Sequence, residues 1–327
     1  MGSREPANQY SHRARQQQAL SMRSILAILL SGLVACSMVL CKLPHYTVFK
    51  SFPTALRECA EYFQMPNCTL RNYIEQDYPD EPIVKKLLHC TMVNLASWDD
   101  GTGIREFVFR NFFRPIPEDS CYENRTRECV QHSLQYLNDD CFNSRAYETF
   151  KCYYRHFGDL VTSDQYIPNE KLQLQQLVQT SLIIESLPRS VLARYCKGDI
   201  LDEPHFPDLM LAIFIRGGYY SLDGGIQLEN IYTQLGDPEL LTPQTRQCCE
   251  AVGSSFCGSS HAEKLHQIGR RCLFEITPTV QLVQEAAKLL IGDDPSCGCG
   301  IEPLPPPSSC DCSGGPRNQI APVYNRV

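Results

Sequence analysis

One arrangement of cysteines and glycines occurs twice in this chain and constrains its fold more than any other feature. Cys129 and Cys152 are 23 positions apart, and so are Cys249 and Cys272. Upstream of each cysteine pair lies a Gly–Ile step, at Gly103 and again 122 positions later, within a segment rich in Asp and Gly. A long-period repeat indicates one structural unit used twice. Because this unit is about a hundred residues long, which is a whole domain, we expect two domains in tandem.

Length and cysteine content agree with a two-domain protein of an oxidising compartment. A chain of 327 residues predicts about two domains. Its hydrophobic content of 43% is that of a globular protein rather than a disordered one. Eighteen cysteines are more than a cytosolic protein of this size normally carries. We therefore expect a secreted, extracellular protein held by disulfide bonds.

The N-terminus predicts a secretory signal. Arginines precede an apolar run over residues 25–40, whose sixteen residues suit a signal core and are short for a membrane span. We assign residues 1–41 to the signal region, with Met22 as an alternative start of translation. An uncleaved signal anchor is the alternative. After cleavage we expect no membrane insertion.

The charge of the chain argues against nucleic acid as a partner. The formal net charge is −7, and residues 1–41 contain four arginines and one glutamate, so cleavage lowers it by three, to −10. An acidic protein lacks the basic surface that a phosphate backbone requires. Anionic membrane surfaces are unfavourable for the same reason.

Hydrophobic periodicity predicts an all-α protein with two helical domains and a separate tail. Six helical segments occur in the first domain, residues 42–162. The second domain, residues 168–292, has six more and an additional helix over residues 280–291 that lacks a counterpart. The connection is short, so we expect the domains to pack together. The tail, residues 293–327, is rich in Cys and Pro and is predicted to be loop held by covalent links or else disordered.

The cysteine spacing of the first domain resembles that of insect odorant-binding proteins. Long intervals separate Cys59 from Cys90 and Cys90 from Cys129. About ten residues separate Cys129 from Cys141 and Cys141 from Cys152. The segments 94–103 and 150–158 are most similar to the two-domain "atypical" odorant-binding proteins of mosquitoes. The resemblance covers roughly residues 50–275 and is degenerate in the second domain. It implies tandem six-helix domains that carry volatile or lipid-like ligands.

The resemblance implies the disulfides Cys59–Cys90 and Cys129–Cys152. In the second domain either Cys248 or Cys249 is available, and we predict Cys249–Cys272. The first domain holds seven cysteines, and the second domain with the tail holds nine. Because both numbers are odd, full oxidation requires a bridge between the halves or between chains, and free thiols are the alternative. The sequons at Asn67 and Asn124 predict N-glycosylation, with chance occurrence as the alternative.

The sequence contains no local catalytic constellation, so we expect neither an enzyme nor a cofactor. The histidines are scattered and no nucleophile motif accompanies them. The two Cys-x-Cys units of the tail are possible thiolate ligands of zinc or copper. No histidine lies in the tail, and secretion favours oxidation, so we expect no metal site.

Helices that disulfides hold in place can enclose an apolar cavity, because the covalent bonds supply stability that close packing would otherwise provide. We therefore expect a carrier of small hydrophobic ligands, odorant- or pheromone-like. The candidate lining residues are Leu88, Met92, Trp98, Phe107, Phe112, Leu134 and Phe150 in the first domain, and Leu209, Ile213, Phe214, Ile231 and Leu265 in the second. Ordinary core packing is the alternative for each of them.

Two other functions remain open at this point. If the second domain has no pocket, the protein is an interaction module that binds a receptor or a second copy of itself. A salivary-type protein that sequesters small mediators is the other alternative. A cavity lined with acidic and aromatic groups would favour it.

Overall fold

Helices make up most of the chain that the computed structural model describes, which is residues 47–138, 141–256 and 260–292. The all-α fold class is thereby confirmed. The predicted signal region and the Cys/Pro-rich tail lie outside the described residues. Within them, no helix has the length and apolar character needed to cross a membrane.

Within the described residues the first half has six α-helices, as the periodicity predicted. The hydroxyl of Ser51 accepts a hydrogen bond from the backbone N–H of Thr54 at 3.3 Å, and Pro53 occupies the first turn, so α1 begins at Phe52. A short 3₁₀ turn, Arg110–Phe112, extends α4. The helices are α1 (Phe52–Tyr62), α2 (Asn67–Glu75), α3 (Pro82–Asn94), α4 (Glu106–Phe109), α5 (Tyr122–Leu134) and α6 (Phe142–His156).

The second half has seven α-helices. A capping box formed by Glu170 and Gln173 starts the first of them, and the left-handed Gly198 ends the second. A π-helical turn, Gly269–Leu273, follows the sixth. The helices are α7 (Lys171–Ile184), α8 (Arg189–Lys197), α9 (Phe206–Arg216), α10 (Leu228–Leu235), α11 (Pro243–Ser255), α12 (His261–Ile268) and α13 (Thr279–Ile291).

Short strands form four antiparallel pairs. In each half one pair is a hairpin: β2 (Trp98–Asp99) with β3 (Gly103–Ile104), and β7 (Tyr220–Ser221) with β8 (Gly225–Ile226). The other strands join distant segments. These pairs are β1 (Val48–Lys50) with β6 (Gln165–Ile167), and β4 (Phe113–Arg114) with β5 (Asp159–Leu160).

The repeat seen in the sequence is a repeat of structure. The two hairpins are 122 positions apart, and so are α2 and α8 at both their ends. Helices α1 and α7 end 122 positions apart, as do α3 and α9. Helix α13 has no counterpart among the described residues of the first half. The exact domain boundaries stay a prediction.

Each half has its own hydrophobic core. The first is built around α1, α3 and α6, and the second around α7, α9, α12 and α13. Strand β6 in the connection contributes to both, because Tyr166 belongs to the second core and Ile167 to the first. Successive side chains of a strand point to opposite sides, so this strand holds the two cores together.

The halves are in direct contact. The ring of Phe107 lies 6.2 Å from that of Tyr232 and packs over Gly236, where an added Cβ would be 2.9 Å from Phe107. The amide of Asn111 donates a hydrogen bond to the hydroxyl of Thr233 at 2.9 Å. The expectation that the halves pack together therefore agrees with the structure.

The first half contains the disulfides Cys59–Cys90 and Cys129–Cys152. The prediction of Cys249–Cys272 is wrong, because the structure joins Cys248 to Cys272. Cys249 is 3% exposed and packs in the core, and neighbouring helical residues point about 100° apart. The bonded cysteines are 24 positions apart instead of 23. Cys272 lies in the π-helical turn, which contains an extra residue and so accounts for the difference.

Other cysteines of the described residues were available for the disulfide bridge expected between the halves or between chains. Cys68, Cys121 and Cys141 are exposed free thiols. Cys196 takes part in a disulfide.

The two sequon asparagines, Asn67 and Asn124, are both exposed near helix starts, at α2 and α5. Glycosylation there stays a prediction.

We predict that peptide mapping of the oxidised protein will recover Cys248 linked to Cys272. Cys249 should react with alkylating reagents only after unfolding, because burial raises the pKa of its thiol to about 11. Replacement of Cys248 by Ala should lower the free energy of unfolding by about 2–4 kcal/mol. A Cys249–Cys272 peptide from the native protein would contradict this assignment.

The second core contains a buried histidine. His266 is 6% exposed, its ring lies 5.6 Å from that of Phe206, and its Nε2 has no hydrogen-bond partner in the described structure. Burial lowers the pKa of His266. Nearby Arg270 acts in the same direction, whereas Glu263, Asp202 and the backbone of Leu201 oppose it.

We predict that the second half loses stability as the pH falls below about 6.5, the ordinary histidine value. The folded-state pKa of His266 lies below that of the unfolded chain, so protonation favours unfolding. The stability that neutral His266 contributes is complete above the pKa of His266 in the unfolded chain. It is lost as the pH falls through the pKa of His266 in the folded protein. Urea unfolding between pH 7.5 and 5 should therefore depend less on pH in His266→Gln than in the wild type. The exposed-residue control His205→Gln should retain the wild-type slope, and equal slopes in all three proteins would refute the assignment.

Candidate functional site

The residues predicted to line a first-half cavity form a closed core. Leu88, Met92, Phe112 and Phe150 are fully buried. The ring of Phe150 stacks on that of Phe52 at 5.4 Å and meets that of Tyr78 edge-on at 5.0 Å. These side chains line none of the cavities described below, so a first-half ligand site stays a prediction.

Three other predicted residues have local roles that differ from lining a cavity. Trp98 is buried, and its indole N–H donates to a carboxylate oxygen of Asp100 at 2.9 Å. Phe107 packs between the halves, as described above. Leu134 is the last residue of α5 and is only partly buried. Helical spacing indicates an apolar face, but it does not tell whether that face meets a ligand, a core or a neighbouring domain.

An apolar cavity of about 40 Å³ lies in the second half. Ile213, Phe214 and Ile231, which the sequence indicated, all line it. Leu209 and Leu265 are buried in the same core but do not line the cavity. The other lining residues come mainly from α7, α10 and α13 and are Leu174, Val178, Tyr219, Gln234, Leu235, Thr277, Pro278, Thr279, Leu282 and Val283.

Helix α13 contributes to the lining of this apolar cavity. Leu282 and Val283 supply one wall, opposite Leu174 and Val178 of α7. The sequence analysis did not name Leu282 and Val283 as lining residues, because the six-helix domains that the chain resembles have no element at the position of α13. The available signal was the apolar stripe of a helix without a counterpart, which needed a surface against which to be buried.

Polar groups at one end of the cavity bind one another. The side-chain oxygen of Gln234 accepts hydrogen bonds from the hydroxyls of Tyr166 at 3.2 Å and Tyr219 at 3.0 Å, and from the backbone N–H of Asn169 at 2.8 Å. Its Nε2 donates to the Asn169 carbonyl at 2.9 Å. Burial raises the pKa of Tyr219 to about 12, so this hydroxyl stays protonated and able to donate. An apolar occupant suits a wall whose polar groups are already bonded.

A surface groove of about 440 Å³ lies beside the cavity, between α7 and α13. Leu174 and Leu282 line both the groove and the cavity, so the two spaces adjoin at these side chains. The other lining residues of this groove are Lys171, Gln175, Glu285, Lys288 and Leu289. We call it the α7–α13 groove.

A second groove, of about 540 Å³, lies between the β7–β8 hairpin, α11 and α12. Its deeper residues are apolar and include Tyr220, Leu228, Cys249 and Ile268. The hydroxyl of Tyr220 is 2.7 Å from Nδ1 of His261. Its charged rim consists of Asp223, Glu229, Arg246, Glu250 and Lys264. We call it the hairpin groove.

The described residues offer no arrangement for metal binding. No group of three or more His, Cys, Asp or Glu side chains within residues 47–138, 141–256 and 260–292 is placed to hold a metal ion. What these residues do provide is apolar enclosure in the cavity and mixed charge in the hairpin groove.

Comparison with known proteins agrees with the first-half architecture. Residues 46–156 match the model of the PBP/GOBP family. Over 207 residues the chain is 24% identical to general odorant-binding protein 69 of Anopheles gambiae, an alignment that covers 60% of this chain and 88% of that protein. No solved structure matches the chain. The first half is therefore similar to the PBP/GOBP family, and the resemblance to odorant-binding proteins is confirmed.

Proposed function

We propose that the protein is a secreted, non-enzymatic carrier that binds a small hydrophobic molecule in the cavity of its second half. The observation that carries this proposal is the apolar cavity lined by Ile213, Phe214, Ile231 and Val283. Burial of apolar ligand surface there provides about 25 cal/mol per Å² of binding free energy before the costs of association. The match of the first half to the PBP/GOBP family model, and its similarity to an odorant-binding protein, support the carrier class.

The size of the cavity limits how a ligand binds. At about 40 Å³ it has room for a few water molecules at most, whereas small-molecule sites usually measure about 300–1,000 Å³. A ligand must therefore move side chains apart as it enters. Leu174 and Leu282 are the candidates, because both are partly buried and face the α7–α13 groove as well as the cavity.

We predict that Val283→Phe, which fills the cavity, weakens binding of N-phenyl-1-naphthylamine to the full-length oxidised protein at least tenfold. Circular dichroism should show that the variant is folded. Leu88→Ala, the control in the first core, should leave the affinity within about twofold, despite a cost of about 2–5 kcal/mol in stability.

The emission of Trp98 provides a second readout in the same titration. Trp98 lies in the first core, so a ligand in the second half should leave its emission unchanged. Wild-type affinity in folded Val283→Phe, or loss of binding in Leu88→Ala with a shift of Trp98 emission, would contradict the proposed site.

Sequestration of a small mediator is a second candidate function, favoured by the hairpin groove. Its rim has three carboxylates and two basic side chains, and one of these, Arg246, is paired with Glu229 at 2.7 Å. Aromatic Tyr220 lies among its deeper residues. This combination of acidic and aromatic groups suits a small aromatic amine.

We predict for this second candidate function that tyramine binds the full-length protein. Glu250→Gln should weaken this binding about fivefold, because it removes one exposed charge pair between the carboxylate and the amine of tyramine. Val283→Phe should leave tyramine binding unchanged, since Val283 lines the cavity and not the hairpin groove. Isothermal titration calorimetry with no heat of tyramine binding would exclude this function.

A further inference from the structure

We propose that the ligand of the second half is an anionic amphiphile, a carboxylate with an apolar chain, which enters through the α7–α13 groove between Leu174 and Leu282. The carboxylate binds beside Lys171 and Lys288, and the chain passes between the two leucines into the cavity. This inference rests on the proposed carrier function and adds the entrance and the chemical class of the ligand.

The entrance follows from the two side chains that the groove and the cavity share. Leu174 lies in the first turn of α7, and Leu282 lies in the first turn of α13. Both are partly buried, and both border the α7–α13 groove as well as the cavity. A rotamer change at exposed or partly exposed side chains takes place in picoseconds to nanoseconds. Rotation of these two leucines would join the groove to the cavity without a movement of either helix.

The size of the joined space fits an amphiphile. The groove of about 440 Å³ is itself within the usual range for small-molecule sites, whereas the cavity of about 40 Å³ is far below it. Leu174, Leu282 and Leu289 provide apolar surface in the groove. A chain laid along these leucines would end in the apolar cavity.

The charges of the groove select the head group. Lys171 on α7 and Lys288 on α13 lie on opposite walls, and both are exposed. Glu285 is the carboxylate among the lining residues, and its oxygen already accepts a hydrogen bond from Gln281 at 2.9 Å. The groove is therefore locally basic in a chain whose net charge is −7. Two ammonium groups on facing walls complement a carboxylate at the mouth.

The test compares dodecanoic acid with its methyl ester as competitors of N-phenyl-1-naphthylamine, with the full-length oxidised protein. We expect the acid to bind about fivefold more tightly than the ester at low ionic strength, as exposed charge pairs allow. The double variant Lys171→Gln/Lys288→Gln should reduce this ratio to about one and leave the affinity for the ester unchanged. Lys264→Gln in the hairpin groove is the matched control and should preserve the ratio. High salt should reduce the ratio in the wild type.

A substitution at Leu282 tests the proposed entrance separately from the head-group preference. Leu282→Trp should weaken binding of both the acid and the ester at least tenfold, because the larger ring occupies the space through which the bound chain passes. Circular dichroism should confirm that this variant is folded.

The outcomes separate this inference from the proposed function. If both ligands bind with equal affinity and Val283→Phe abolishes binding of both, the carrier function stands and the carboxylate preference is wrong. If Leu282→Trp is folded and binds both ligands normally, the entrance is wrong. If the probe binds the wild type but neither ligand displaces it, the inference fails and the carrier function stands. If the probe itself does not bind the folded wild type, both fail.

Discussion

The apolar face of α13 is the contact on which the second half depends. Val283, Ala286 and Ala287 are almost fully buried, and the helix packs along α8 and α7. Gln284 adds a polar link, since its amide donates a hydrogen bond to the carbonyl of Cys196 in α8 at 2.9 Å. Without α13, the inner faces of α7 and α8 would be exposed to water. The same contact creates the cavity, because Leu282 and Val283 form one of its walls.

The second half has no counterpart of one disulfide of the first half. The register of 122 positions places Ser181 where the first half has Cys59, and Ala212 where it has Cys90. Ser181 is fully buried, and its hydroxyl donates a hydrogen bond to the carbonyl of Leu177 at 2.8 Å. The covalent bond that joins α1 to α3 is thus absent between α7 and α9. Noncovalent packing of α7 against α9 and α13 joins these elements, without the stabilisation of about 2–4 kcal/mol that a disulfide contributes.

The sequence predicted the helices well, because their boundaries depend on local signals. Periodic apolar residues, prolines and the repeated glycine turns are all visible without a structure. Each repeated Gly–Ile step forms the second strand of a hairpin. The choice between Cys248 and Cys249 depended on the π-helical turn that holds Cys272, which no local signal announces. Phe107 has the spacing of a core residue, but its partners Tyr232 and Gly236 lie in the other half.

The site itself was predicted only in part. Ile213, Phe214 and Ile231 were indicated because they are apolar residues on buried helical faces. The opposing wall was missed because it belongs to α13, an element that the resemblance to six-helix domains does not include. The sequence left open whether the first-half candidates line a cavity or pack as a core, since packing among Phe52, Tyr78 and Phe150 is a property of three dimensions. Periodicity thus identified the buried faces but not the volume left between them.

A crystal structure of the full-length protein with dodecanoic acid would test the central claim, that the ligand site lies in the second half beside α13, most directly. The account predicts electron density for the chain between Leu174 and Leu282, with the terminal carbons beside Val283. Density among Leu88, Met92 and Phe150 in the first core would contradict it.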